Sequence, residues 1–153
     1  MSYYYYHRAR HPGVTMYSLR AMLRHLHKVG KPHTVEAYSM NTRRRSEWED
    51  GWLSTWQTFV RVRGDLGTIR FGGFSWGYGG EGPHGLKELF HRLDIAHINP
   101  DPIEWKHEWK GRAPSTKLYQ PAWHWRIDLT AEVPEVVWLE EDKDWERNRN
   151  GKD

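Results

Sequence analysis

A chain of 153 residues, 28% charged and 37% hydrophobic, is long enough to bury one core and fits one domain. With no cysteine, disulfides, thiolate metal ligands and a cysteine nucleophile are excluded. No apolar run approaches the roughly 20 residues that span a bilayer, and the opening MSYYYYHRARHPG lacks a secretory apolar stretch, so the expectation is a cytoplasmic protein with no membrane partner.

The formal charge of +3 is unevenly spread. Residues 1–46 carry nine Lys/Arg (Arg8, Arg10, Arg20, Arg24, Lys28, Lys31, Arg43, Arg44, Arg45) against Glu36 alone, while residues 47–153 carry fourteen cations against nineteen acids. Such a split predicts an anionic partner for the basic third, or attraction between the two halves. Ten tryptophans exceed what a domain of this size conceals, so some are expected in a pocket or an interface.

In chain order, Leu19, Met22, Leu23 and Leu26 recur at helical spacing between Thr15 and Val29, with Met16 and Val29 at the edges of the stripe. Gly30 and Pro32 then end that helix. Its opposite face carries Tyr17, Arg20, Arg24 and Lys28, a solvated face or a track for phosphates. His33 to Met40 alternates as a strand, and NTRRR follows. Ser46-x-x-Glu49 reads as a capping box; if the helix it starts persists past Gly51, which weakens it, Trp48, Trp52 and Trp56 form an indole ridge, and otherwise Trp56 opens the next strand. WQTFVRVR and TIRFGGFSW flank GDLG, a hairpin signal. Trp56, Thr58, Val60 and Val62 fall on one face of the first strand, and Gln57, Phe59, Arg61 and Arg63 on the other. Arg70 adds a cation in the second strand, where Gly72 and Gly73 mark a bulge or a close approach.

Leu86, Leu89, Phe90 and Leu93 define a second helix, with Pro83 in its first turn. HINPDPIEW reads as a loop, IEWKHEWKG as a short element bearing Trp105 and Trp109, and GRAPSTKLYQP as another loop. AWHWRIDL alternates, placing Trp123, Trp125, Ile127 and Leu129 on one side and His124, Arg126 and Asp128 on the other. EVVWL is a last strand. Together these elements predict one α+β domain over residues 1–139, with about five mainly antiparallel strands packed by two or three helices. Residues 140–153 form a charged tail.

Between strand and helix lies FSWGYGGEGPHGL, Phe74 to Leu86. Five glycines there predict either a tight structural corner or a backbone cradle for an anion at a helix N-terminus. In the second case Gly79, Gly80 and Gly82 would hold a phosphate or carboxylate, and Lys87 would supply charge. Trp76 and Tyr78 would offer flat faces, with His84 alongside. Neither a G-K-[ST] ending nor G-x-G-x-x-G spacing is present, and Glu81 opposes an anion.

Trp76-Gly77-Tyr78-Gly79-Gly80-Glu81-Gly82-Pro83, followed by the amphipathic helix, resembles an uncharacterised small-domain family of bacterial and phage proteins marked by W-G-Y-G-G-x-G-P. The resemblance covers roughly 20 residues, implies that the corner is a defined unit, and carries no activity with it.

No H-E-x-x-H or G-x-S-x-G pattern occurs. His84, Glu88 and His91 share a helix face directly opposite the apolar stripe, and neither His107 with Glu108 nor His124 with Asp128 has a spacing diagnostic of acid–base chemistry. The expectation is therefore a non-catalytic binder without metal or cofactor, its ligand a nucleotide-like molecule or nucleic acid, in the manner of a phage or bacterial accessory or anti-defence protein. The candidate residues are the corner set Trp76, Tyr78, Gly79, Gly80, Gly82, His84 and Lys87, with Arg43, Arg44, Arg45, Arg61 and Arg70. Two readings compete with it. One is an inhibitor or adaptor meeting a host protein, or a second copy of the chain, through Trp, Tyr and Arg. The other is a His- or metal-dependent phosphodiesterase or nuclease.

Overall fold

Alternation and short turns build a sheet here, and two amphipathic segments cover one side of it. The computed structural model describes residues 3–6, 15–45, 52–103 and 122–139, with side chains described at 15–39, 57–103 and 123–139. The elements are β1 (Tyr3–Tyr6), α1 (Thr15–His25) with a 3-10 turn (Leu26–Val29), β2 (Pro32–Arg45), β3 (Trp52–Gly64), β4 (Gly67–Gly72), α2 (Glu81–Arg92), β5 (Ala122–Asp128) and β6 (Val136–Trp138). They form a single α+β domain with one six-stranded sheet in the order β1-β4-β3-β2-β5-β6. All neighbours are antiparallel except β1, which runs parallel to β4.

The sheet's two faces differ because side chains alternate along each strand. Val35 and Ala37 of β2, Val60 and Val62 of β3, Ile69 and Phe71 of β4, and Trp125 and Ile127 of β5 enter one core. Trp76, Leu86, Leu89 and Phe90 join them there. Trp76 and Trp125 are fully buried and meet edge-on at 5.5 Å between ring centroids. Burying an indole of about 200 Å² at about 25 cal/mol per Å² contributes roughly 5 kcal/mol, so these rings are major anchors of the core.

Helix α1 packs through a stripe rotated from the predicted one. Thr15, Ser18, Ala21 and Met22 are buried, whereas Met16 and Leu23 are exposed. Small residues win this face because the helix lies against the end of β4. There the Thr15 hydroxyl donates to the Gly73 carbonyl at 3.0 Å and the Ser18 hydroxyl to that of Gly72. These bonds satisfy carbonyls where the strand ends, a requirement of buried backbone that apolar spacing does not reveal.

Two further expectations are corrected, and one strand was not foreseen. Trp52 and Trp56 lie in β3, where backbone pairing with β2 runs from Pro32↔Gly64 to Arg45↔Trp52. The hairpin ladder takes both, so no helix persists to Trp52 and Trp56 belongs to the strand, as the alternative reading had it; Trp48 lies outside the described residues. In β5, Trp125 pairs with Ala37 but Trp123 pairs with Tyr38. His124 is therefore the extra residue of a bulge, which reverses the alternation. Trp125 enters the main core, while Trp123 joins Tyr38, Phe59 and Leu139 in a second cluster. Finally, β1 is a strand that the tyrosine run does not announce. Trp105, Trp109 and the tail from residue 140 lie outside the described residues.

Candidate functional site

The face of the sheet away from the main core carries three successive cross-strand rows. The first is aromatic: Phe59 on β3, Tyr38 on β2 and Trp123 on β5, with Gly72 of β4 at its end. The second is charged: Arg70 of β4, Arg61 of β3, Glu36 of β2 and Arg126 of β5. The third is polar: Thr68, Arg63, Thr34 and Asp128. Neighbouring strands sit about 4.8 Å apart, so a row of this kind places side chains from four strands shoulder to shoulder.

Glu36 is the centre of the charged row and is fully buried. Arg61 Nη2 donates to its Oε1 at 2.9 Å, Arg126 Nη2 to its Oε2 at 2.9 Å, and Arg63 Nε lies 3.1 Å from Oε1. Burial alone would raise this carboxyl, but the three guanidiniums outweigh it, and with the Arg126 hydrogen bond they hold Glu36 below the usual carboxylate range. The arginines keep part of their surface in solvent: 18% for Arg61, 26% for Arg63 and 25% for Arg126. Their planar groups also stack. Arg61 lies 4.8 Å from the Trp123 ring centroid and Arg70 4.5 Å from that of Phe59. The result is a cluster of oriented guanidiniums held by one carboxylate and an aromatic floor.

The glycine corner is organised differently. Trp76 is sealed in the core against His124 and Trp125, so its ring offers no face to a ligand. The Gly77 amide donates to the Pro100 carbonyl at 3.0 Å, and Gly77 has φ 87. Tyr78 is half exposed and folds back so that its hydroxyl meets Ser75 Oγ at 2.8 Å. Gly80 and Gly82 exist largely for that ring. A Cβ on Gly80 would lie 2.8 Å from the ring edge, and one on Gly82 would overlap Ser75 Oγ. Lys87 is engaged by Asp101 at 2.8 Å. His84 is exposed, as is Gly79, where a Cβ would meet nothing.

Beside the corner is an open cleft of about 420 Å³ lined by Thr15, Thr58, Gly73, Ser75, Tyr78, Glu81 and Gly82. Its hydroxyls are turned inward: Thr15 to Gly73, Thr58 to Phe74 at 3.2 Å, and Ser75 to Tyr78. Glu81 is the only charged side chain in that lining, which disfavours an anion there.

Of the residues singled out from sequence, the fold therefore brings Arg61 and Arg70 together as a direct cross-strand pair. Trp76 and Lys87 are drawn into other contacts. Arg43, Arg44 and Arg45 occupy the last three pairs of the β2–β3 ladder, opposite Ser54, Leu53 and Trp52. Sequence reasoning missed Glu36, Arg63 and Arg126 as site residues, although Arg61 and Arg63, two apart on a strand, already signalled a shared face. Among the described residues no three His, Asp or Glu side chains are grouped to hold a metal ion, and no described helix is long and apolar enough to cross a membrane. No family model matches this chain, and neither a curated protein nor a solved structure does.

Proposed function

We propose that this protein is a non-catalytic binder of a phosphate-bearing ligand, a nucleotide-type molecule or nucleic acid, acting from a cytoplasmic setting. The observation that carries this reading is the charged row. Arg61, Arg63, Arg70 and Arg126 gather on one sheet face, each fixed by a carboxylate or an aromatic ring. Guanidiniums held in this way lose little entropy when a phosphate arrives, and their geometry suits bidentate contact. Binding is favoured over acid–base catalysis because Glu36 is ionised and already occupied by three cations.

The test is binding of labelled oligonucleotides and of ATP, followed by anisotropy and calorimetry from low to moderate salt. A phosphate-directed binder gives affinity that falls linearly on a log–log plot against salt, with a slope of about −0.7 to −0.9 per neutralised phosphate. Absence of binding to both probes at low salt overturns the reading.

A second reading, contact with a protein, has its own support at the other end of the sheet. Val133, Val137 and Trp138 are exposed on and beside β6, the last strand of the sheet among the described residues, and a sheet edge can accept another strand. For a second copy of this chain, sedimentation equilibrium would show concentration-dependent association that Val137→Asp abolishes.

A further inference from the structure

Helix α1 leaves one of its core-type residues outside. Leu23 belongs to the stripe that apolar spacing assigns to the interior, yet it is 60% exposed, while Met22 beside it is buried. After His25 the chain tightens into the 3-10 turn Leu26–Val29, and Gly30, with φ 76, swings it toward β2. At this change of direction a groove of about 310 Å³ opens between the end of α1 and the end of α2. Met22, Leu23, Leu26 and Leu93 give it apolar walls, and Gly30 and Pro32 complete them. Its two polar lining residues are His27 and Arg92, both exposed. All of these residues lie within continuous stretches whose side chains are described, 15–39 and 57–103.

The charge of the groove is that of Arg92. No acid lines it, and neither the Arg92 nor the His27 side chain forms a hydrogen bond or ion pair among the described residues. Glu88 and Asp94 flank Arg92 in sequence without pairing to it.

We propose that this groove binds an aliphatic carboxylate of medium chain length. Its alkyl chain lies along Met22, Leu23, Leu26 and Leu93, and its carboxylate meets Arg92, with the His27 imidazole as a second polar contact. A guanidinium takes both oxygens of a carboxylate through parallel N–H donors, and it repels an alkylammonium. The apolar walls require that the charge arrive attached to hydrocarbon, since a polar ligand would leave Leu23 in water. The volume is at the lower end of the range of about 300–1,000 Å³ for ligand sites, which suits a single chain. The groove is built by the helices, on the side of the sheet opposite the arginine row, so it is independent of the phosphate-binding reading. An exposed ion pair contributes little, and the alkyl chain therefore dominates the affinity. Binding should tighten by up to about fourfold per added methylene until the chain outgrows the groove.

The experiment titrates the full chain, labelled at its methyl groups, with sodium octanoate and follows the NMR spectrum. Shifts are expected at Met22, Leu23, Leu26 and Leu93, with butanoate, octanol and octylamine each binding more weakly than octanoate. Arg92→Gln should weaken octanoate by about two- to fivefold and erase its advantage over octanol. Leu23→Ser, at an exposed position, should weaken octanoate and octanol alike. Octylamine or octanol binding the wild type as tightly as octanoate overturns the proposal, as does unchanged octanoate affinity in a folded Arg92→Gln variant. Absence of shifts at these methyls in millimolar octanoate overturns it too, whether or not vesicles of anionic lipid perturb them. Should Arg92→Gln fail to fold, the comparison of octanoate with octylamine and octanol on the wild-type chain decides alone.

Discussion

A single carboxylate, Glu36, touches three of the four strands at the middle of the sheet: its own, β3 through Arg61 and Arg63, and β5 through Arg126. Removing one partner from a buried ion cluster costs about 3–5 kcal/mol, because the remaining charges stay desolvated and repel each other. Glu36→Gln is expected to lower stability by about that amount in urea titrations. The same group sets an acid response. Its carboxyl is depressed in the folded protein by the guanidiniums, so its contribution is complete above the ordinary carboxylate pKa of about 4.3 and fades as pH falls through the lower folded value. The stability gap between wild type and Glu36→Gln should therefore be constant near neutrality and narrow below about pH 4. By contrast, Lys87 and Asp101 pair at the surface, and Lys87→Ala should cost no more than about 1 kcal/mol.

At the scale of elements, the turn from Phe74 to Leu86 shows why a glycine-rich stretch carries several meanings. Gly77 needs its positive φ, and Gly77→Ala should cost about 1–2 kcal/mol. Gly82→Ala would displace Ser75 and the Tyr78 hydroxyl, with a cost of about 1–3 kcal/mol from overpacking. Gly79→Ala meets open space and should stay within about 0.5 kcal/mol. Melting curves should show clear destabilisation in the first two variants and leave the third nearly silent. Sequence spacing located this turn and the helix after it, along with the β3–β4 hairpin, because those signals are local. It placed Arg61 and Arg63 on one face for the same reason. What it could not supply was pairing between distant strands. The bulge at His124, which sends Trp123 and Trp125 to opposite faces, depends on how β5 meets β2. The role of Arg126 toward Glu36 follows from that same meeting, and the parallel seat of β1 beside β4 leaves no periodic trace in four tyrosines.

Over the whole molecule, the described residues of the basic first third and of the acidic remainder share one sheet. Glu36, the one acid of residues 1–46, sits at the heart of the sheet, and its cations come from later in the chain. Long-range attraction thus helps to assemble β2 between β3 and β5. Raising salt should slow refolding more for wild type than for Glu36→Gln, a comparison open to stopped-flow measurement.

The bond between Arg126 and Glu36 joins residues 90 positions apart, and this has a consequence for synthesis. A nascent chain emerging from the ribosome can close β2 on β3 early, but one side of β2 stays bare until β5 has been translated. Through most of translation the growing polypeptide carries an open strand edge beside a carboxylate awaiting its last cation. Ribosome-stalled chains ending before residue 122 should therefore bind chaperones and resist folding, and those extended past Leu139 and clear of the exit tunnel should not.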